Sequence, residues 1–221
     1  NANAHCLNLS YRDTTLRAFF NSAPVVFCDG AGVVLAGRIL GTRLGQRITY
    51  ADWAWQLAGF AAEQQLSLYL LGARPGVAEK AAERLHGRHP GLRIAGTQHG
   101  YFNRDAASPE NDAVIAAINA ARPDIVWVGL GLIKQERWIQ QHLNRLDAPW
   151  MVGVGAAFDY HAGTVPWAPA LLRGLGLEWL FRLIIQPKLR ARRYWWSLVF
   201  VLESMAKGLV SLRFLRRRAP L

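Results

Sequence analysis

Reactive side chains sit beside glycine at four places in this chain of 221 residues. They are Asp29-Gly30-Ala31-Gly32, Gly72-Ala73-Arg74-Pro75-Gly76, Gly129-Leu130-Gly131 with Lys134 and Gln135 just beyond, and Gly155 followed by Asp159. A carboxylate at the end of a strand, such as Asp29, is held where a ligand can reach it; an Asp that merely caps the next helix fits the same spacing. Arg74 over a glycine turn suits a diphosphate, because its planar fork donates two parallel hydrogen bonds. Lys134 and Gln135 stand at a helix N-terminus, where unpaired N–H groups and positive potential favour an anion. An ordinary strand-to-helix turn with a surface Lys reads the same way.

A fifth glycine loop, Thr97 to Phe102, carries His99, Gly100, Tyr101 and Phe102. The rings of Tyr101 and Phe102 either stack on a nucleobase or simply pack, and His99 is either catalytic or a hydrogen-bonded structural residue. His86 and His89 have a metal-like interval, yet no third ligand is near and Pro90 ends the helix. No D-x-D pair is present to seat a divalent ion, so neither metal nor cofactor is expected. Glu110 and Asp112 favour a helix start through the dipole alone.

The elements that must hold these residues follow from periodicity. Short apolar runs at Val25–Cys28, Leu66–Leu71, Leu92–Gly96, Asp124–Val128 and Trp150–Val154 read as strands, and helical spacing follows most of them. Five or six strands alternating with helices predict an α/β fold: a mostly parallel, Rossmann-like sheet with helices on both faces. The phosphate fingerprints G-x-x-x-x-G-K-[ST] and G-x-G-x-x-G are both absent.

With 52% hydrophobic residues the chain can bury a full core. No segment reaches about 18 uninterrupted apolar residues, so no spanning helix is expected. No signal peptide is visible, and because the chain opens at Asn1 without a Met a missing N-terminal segment stays open. Cys6 and Cys28 suit a reducing compartment and core packing. The net charge of +11 is concentrated at the end: from Trp179 onward ten Lys and Arg face the single Glu203. A uniformly basic domain would suggest nucleic acid; a near-neutral globule with a basic, Trp-rich tail suggests anionic lipid or a phosphorylated ligand instead. In that tail Leu198, Leu202, Met205, Leu209 and Leu212 form an apolar stripe behind Tyr194-Trp195-Trp196. Such a helix lies on a membrane surface or packs on the core or a second subunit.

Asp29-Gly30-x-Gly32, Gly72-x-Arg74-Pro75-Gly76-Val77-Ala78-Glu79, His99-Gly100-Tyr101-Phe102, Pro123-Asp124-Ile125, Gly129-x-Gly131-x-x-Lys134-Gln135-Glu136, Gly153-Val154-Gly155-x-x-Phe158-Asp159, Ala162-Gly163, Ala168-Pro169 and Gly176-Leu177-Glu178-Trp179-Leu180-x-Arg182-Leu183 follow one another in a familiar order. Over residues 1–194 the chain resembles the WecG/TagA/CpsF family of bacterial glycosyltransferases. The resemblance implies inverting, metal-independent transfer of a sugar from a UDP-sugar to a polyprenyl-diphosphate-linked acceptor sugar, in cell-surface polysaccharide or wall-polymer synthesis. It implies peripheral attachment at the cytoplasmic face of the bacterial inner membrane.

The family's proposed base matches Asp29. Its Thr-x-Asn pair matches Asn1-Ala2-Asn3, with the Thr replaced by Asn1. The arginine after its first helix matches Arg47, and the glutamine of its P-K-Q-E block matches Gln135, with Ile133 in place of the Pro. Trp167 stands where the family often has a basic residue. The resemblance further implies that Arg182, Lys188, Arg190, Arg192 and Arg193 meet the acceptor diphosphate, and that Gly72, Arg74, Pro75, Gly76, Gly100, Tyr101, Phe102, Gly129, Gly131, Gly155 and Asp159 surround the nucleotide.

The chain is thus expected to divide into a catalytic UDP-sugar-binding domain, 1–178, and a basic membrane-associating appendage, 179–221. Its expected partners are donor, acceptor and anionic membrane, and not nucleic acid; an apolar tail face leaves a homo-oligomer open. A noncatalytic nucleotide- or membrane-surface-binding module and a dinucleotide-dependent oxidoreductase are the competing readings.

Overall fold

In the computed structural model, residues 1–42, 44–45 and 47–218 are described, the last ten and residue 189 by their backbone alone. The side chains of Leu209 and Leu212, part of the expected stripe, lie outside the described residues. The helices are α1 (Ala4–Arg12), α2 (Thr14–Ser22), α3 (Ala31–Ile39), α4 (Tyr50–Glu63), α5 (Val77–Arg88), α6 (Pro109–Ala121), α7 (Lys134–His142), α8 (Ala157–His161), α9 (Ala170–Gly174), α10 (Glu178–Ile185) and α11 (Pro187–Arg218). The strands are β1 (Ser67–Gly72), β2 (Arg93–Gln98), β3 (Ile125–Gly129) and β4 (Trp150–Gly153). The chain folds into two compact units, residues 50–167 and residues 1–49 with 168–221.

The first of these units holds the sheet. Its order is β2-β1-β3-β4 and every pairing is parallel, so the α/β expectation holds. β1 and β3 are central and buried along their whole length, and for that reason they read as continuous apolar runs without alternation. Leu68 and Leu70 of β1 and Ile125 and Trp127 of β3 share one face, where they pack with Ala54, Ala58 and Ala61 of α4, Ala78, Ala81 and Leu85 of α5, and Phe158 of α8. The small alanines let α4 and α5 approach closely. The other face is covered by α6, against β2, and α7, against β3 and β4. After β1 the chain moves to β2 on one side and then returns past β1 to β3 on the other. The order therefore reverses between β1 and β3, and crevices of open α/β sheets form at that kind of reversal, outside the carboxyl ends of the strands.

The other unit is helical. Its Val25–Cys28 run is not the buried strand that the sequence suggests. Val25 is 68% exposed, and among the described residues only a single bridge, Ala2 to Cys28, joins it to another segment. The backbone there finds partners in two unrelated segments, since Phe27 accepts from Ala2 N–H and Cys28 accepts from Ile48 N–H, so no ladder propagates. Four strands, not five or six, therefore make up the sheet of the described residues. Helix α1 starts where the Asn3 side chain accepts the Cys6 N–H, and α2 starts in the same way on Asp13. The basic C-terminal segment forms α11, which packs against α1, α3 and α10. Trp195, Leu198 and Leu202 lie on its outward side, each more than half exposed. Cys6 and Cys28 are free thiols.

Candidate active site

The residues singled out from sequence fall into two sets, one in each unit. In the helical unit Asn1, Arg47, Arg182 and Arg193 interact with Asp29. The bridge at Cys28 and the bond from Asp29 N–H to the Ala2 carbonyl (3.0 Å) lay the first residues of the chain beside the Asp29 loop. Asn1 Nδ2 then donates to Asp29 Oδ2 at 3.0 Å. The side chain of Asn3 is turned to its own helix, where it caps α1. Gly30 has φ +117°, a conformation few L side chains adopt, and this lets the chain turn from the carboxylate directly into α3. Asp29 does not cap that helix with its side chain, because α3 has Gly30 at its cap and no side-chain cap bond.

Burial pushes the Asp29 carboxyl above the usual range. Arg182 and Arg47 oppose that rise and Glu178 reinforces it. Glu178 and Arg182 form an ion pair one helical turn apart on α10. The Gly176 turn before them presses on the Asp29 loop, since a Cβ on Gly176 would lie 3.0 Å from Ala31 Cβ and 4.0 Å from Arg47 Nη1. Arg47 itself donates to the Arg173 carbonyl at 3.1 Å. Arg193 of α11 also lies in this field: burial lowers its pKa, Arg190 and Arg182 lower it further, and Asp29 raises it. His5, which sequence reasoning did not single out, feels the charge of Arg193. Its imidazole is drawn down to about 4 by burial and by Arg193, so it is neutral at physiological pH. Lys188 and Arg192 are exposed. A carboxyl whose pKa is raised by burial is, once ionised, a stronger base toward a hydroxyl than an ordinary carboxylate, and guanidinium charges nearby suit a phosphate.

In the sheet unit the strand-end loops are tied to each other. Gly100 N–H donates to the Ala73 carbonyl (2.9 Å), and Ala73 N–H donates to the Gly129 carbonyl (3.2 Å). The glycines at these ends are required by close approach of backbone or of a packed side chain. A Cβ on Gly72 would fall 2.4 Å from the Gly129 oxygen, one on Gly100 would fall 3.2 Å from Gly72 Cα, and one on Gly129 would meet the Phe158 ring at 2.7 Å. Gly76 and Gly131, both at positive φ, face open space instead. Arg74, Pro75 and Gly76 are exposed ahead of α5, Lys134 is exposed at the start of α7, and Tyr101 is 67% exposed beside the half-buried Phe102. Exposed cations, the starts of α5 and α7 and an aromatic ring thus rim the carboxyl edge of the sheet at its reversal point.

Three residues of this unit are spoken for internally. His99 Nδ1 accepts from Tyr101 N–H at 3.3 Å, which shapes the aromatic loop. Asp159 accepts from Thr164 through both its carbonyl and its carboxylate, closing the turn after α8. Gln135 is fully buried, with its amide bonded to Gly155 and Glu136. His86 Nδ1 bonds the Leu92 carbonyl, and Trp167 stacks near Tyr160 and His161.

Comparison with known proteins identifies the family. The model of the glycosyl transferase WecG/TagA/CpsF family matches residues 1–213. The molecule is a glycosyltransferase. The chain belongs to the WecG/TagA/CpsF family. Proteins from Staphylococcus aureus strains NCTC 8325 / PS 47, COL and MW2 are each 32% identical to it over 187 residues, which is 85% of this chain and 71% of theirs. Each is named N-acetylglucosaminyldiphosphoundecaprenol N-acetyl-beta-D-mannosaminyltransferase.

Proposed function

We propose that this glycosyltransferase moves an N-acetylhexosamine, N-acetylmannosamine first among the candidates, from a UDP-sugar to an N-acetylglucosaminyl-diphosphate-polyprenol, with inversion and with Asp29 as base. The observation that supports the reading is the Asp29 carboxyl, bonded by Asn1 Nδ2 at 3.0 Å, pushed up by burial and feeling the charges of Arg182 and Arg47. The Asp29 carboxylate takes the proton of the acceptor hydroxyl as that oxygen bonds the anomeric carbon, and the bond from that carbon to UDP breaks on the opposite face. A base whose pKa lies nearer neutrality is better matched to a hydroxyl than an ordinary carboxylate.

The sheet unit, taken by itself, is assigned the uridine diphosphate at its strand-end loops. There Arg74, Lys134 and the N-termini of α5 and α7 supply donors and cations, and Tyr101 supplies a ring for the uracil. Arg182, Arg190 and Arg193 are assigned to the acceptor diphosphate. The relatives' names supply the acceptor and the sugar.

The lipid-linked acceptor calls for work at a membrane, and we assign it to the cytoplasmic face of the bacterial inner membrane. Among the described residues no helix is long and apolar enough to cross a bilayer. The outward side of α11, with Trp195, Leu198 and Leu202 flanked by Lys188 and Arg192, suits an anionic interface.

Calorimetric titration with UDP, NAD and single-stranded DNA tests the nucleotide half of the reading. UDP alone should bind, and Arg74→Ala should weaken it. Binding of NAD or DNA in its place would overturn the assignment.

A further inference from the structure

Gln135 and Glu136 are 1% and 4% exposed, unusual for a neutral amide and a carboxylate at the mouth of a loop. Their polar atoms are fully engaged with each other and with two backbone amides. Gln135 Oε1 accepts the Gly155 N–H at 2.9 Å. Gln135 Nε2 donates to Glu136 Oε1 at 2.8 Å. Glu136 Oε2 accepts the Ile133 N–H at 2.5 Å. Only one orientation of the Gln135 amide serves both neighbours, because an N–H needs an acceptor and a carboxylate needs a donor.

The two ends of this series lie in different loops. Gly155 follows β4 and has φ +57°, whereas Ile133 follows β3 and has φ +71°, a region that a β-branched residue rarely occupies. A strained turn persists only where its surroundings over-determine it, and here the Glu136 carboxylate grips the strained residue by its own N–H. Gly153 lies close against this amide: a Cβ there would fall 2.7 Å from Gln135 Nε2.

We propose that Gln135 is a positioning residue that works through the protein: with Glu136 it forms a strut fixing the Gly155 loop to the Ile133 turn. The strut holds Gly131 and Lys134 on one side and Gly155 on the other in the arrangement that receives the nucleotide. What it positions rests on the UDP reading above; that it positions rests on the three bonds.

Exchanging the two side chains tests this. Gln135→Glu alone opposes two carboxylates, and Glu136→Gln alone leaves one donor without its acceptor. In the double variant Gln135→Glu/Glu136→Gln, all three bonds can form again: the carboxylate at 135 accepts from Gly155 and from the amide at 136, whose oxygen accepts from Ile133. Two quantities are measured on the full chain, amide hydrogen exchange at Ile133 and Gly155 and the UDP dissociation constant.

Each single variant should speed exchange at both amides and weaken UDP about tenfold or more, and the exchanged pair should restore both. Unchanged exchange in the singles would overturn the strut. Restored exchange with UDP binding still lost in the pair would also overturn it, since the Gln135 amide would then be a direct ligand contact. If the wild-type protein bound no UDP, the nucleotide reading would fall while the exchange measurement still decided the strut.

Discussion

Asp29→Asn should separate activity from stability in opposite directions. The substitution keeps the shape of the side chain and leaves an oxygen to accept the Asn1 Nδ2–H bond now made at 3.0 Å. It removes the ability to take a proton, and a positioned general base contributes about 10²–10⁴-fold to rate. For stability, the folded-state pKa of Asp29 is raised by burial, with Glu178 adding to the rise and Arg182 and Arg47 opposing it. The folded state therefore binds this proton more tightly than the unfolded state. Stability from that proton is fully present below the unfolded pKa and is lost as pH rises through the folded one. Above it, the ionised group opposes folding by about 1.4 kcal/mol for every tenfold by which the folded state binds the proton more tightly. Asn carries no such cost.

Thermal melts between pH 4 and pH 8 should show the variant at least as stable as wild type at the upper end, with the difference closing toward the acid end. Initial rates of UDP release should fall at least about a hundredfold. In the wild type, the acid limb of the rate profile should lie above the ordinary carboxylate range. A variant that keeps a tenth of the wild-type rate, or that melts lower at pH 8, would refute the assignment and mark Asp29 as structural.

Two further perturbations probe other layers. Trp138 donates through Nε1 to Asn111 Oδ1 at 2.9 Å, and both residues are buried, so Trp138→Phe strands a buried acceptor; it should cost about 1–3 kcal/mol, or roughly 2–4 °C in Tm for each kcal/mol. The combined variant Trp195→Ser/Leu198→Ser/Leu202→Ser changes only outward side chains of α11. It should leave the melt unchanged and weaken sedimentation with anionic vesicles by at least about tenfold, since each residue contributes up to about 1.5–3 kcal/mol when buried in lipid; unaltered sedimentation would assign that face elsewhere.

The sheet was largely legible because its central strands are short, continuous apolar runs closed by glycine. Leu66–Leu71 and Asp124–Val128 in the sequence became Ser67–Gly72 and Ile125–Gly129 in the structure. Val25–Cys28 has the same local signature and failed, because a strand needs a neighbour and, among the described residues, Ala2 alone bridges to it. Glycine positions could be seen, but what each one meets could not: Gly72 makes room for the Gly129 backbone and Gly129 for the Phe158 ring, whereas Gly131 faces open space.

Around Asp29 the family resemblance supplied Asn1 and Arg47, and the structure brings both into its surroundings. His5 carried no signal, because its influence arises from burial beside Arg193, far away in sequence. Likewise the Gln135 and Glu136 pair looks like ordinary helix-start polarity until the strained Ile133 and the Gly155 loop are seen at its two ends.

The central claim is tested most directly by incubating the protein with a panel of UDP-sugars and a synthetic N-acetylglucosaminyl-diphosphate-polyprenol, then determining product mass and anomeric configuration by NMR. The account predicts one added N-acetylhexosamine, β-linked from an α-linked donor, formed by wild type and not by Asp29→Asn. A product that retains the donor configuration, or one formed equally well by the variant, would contradict it.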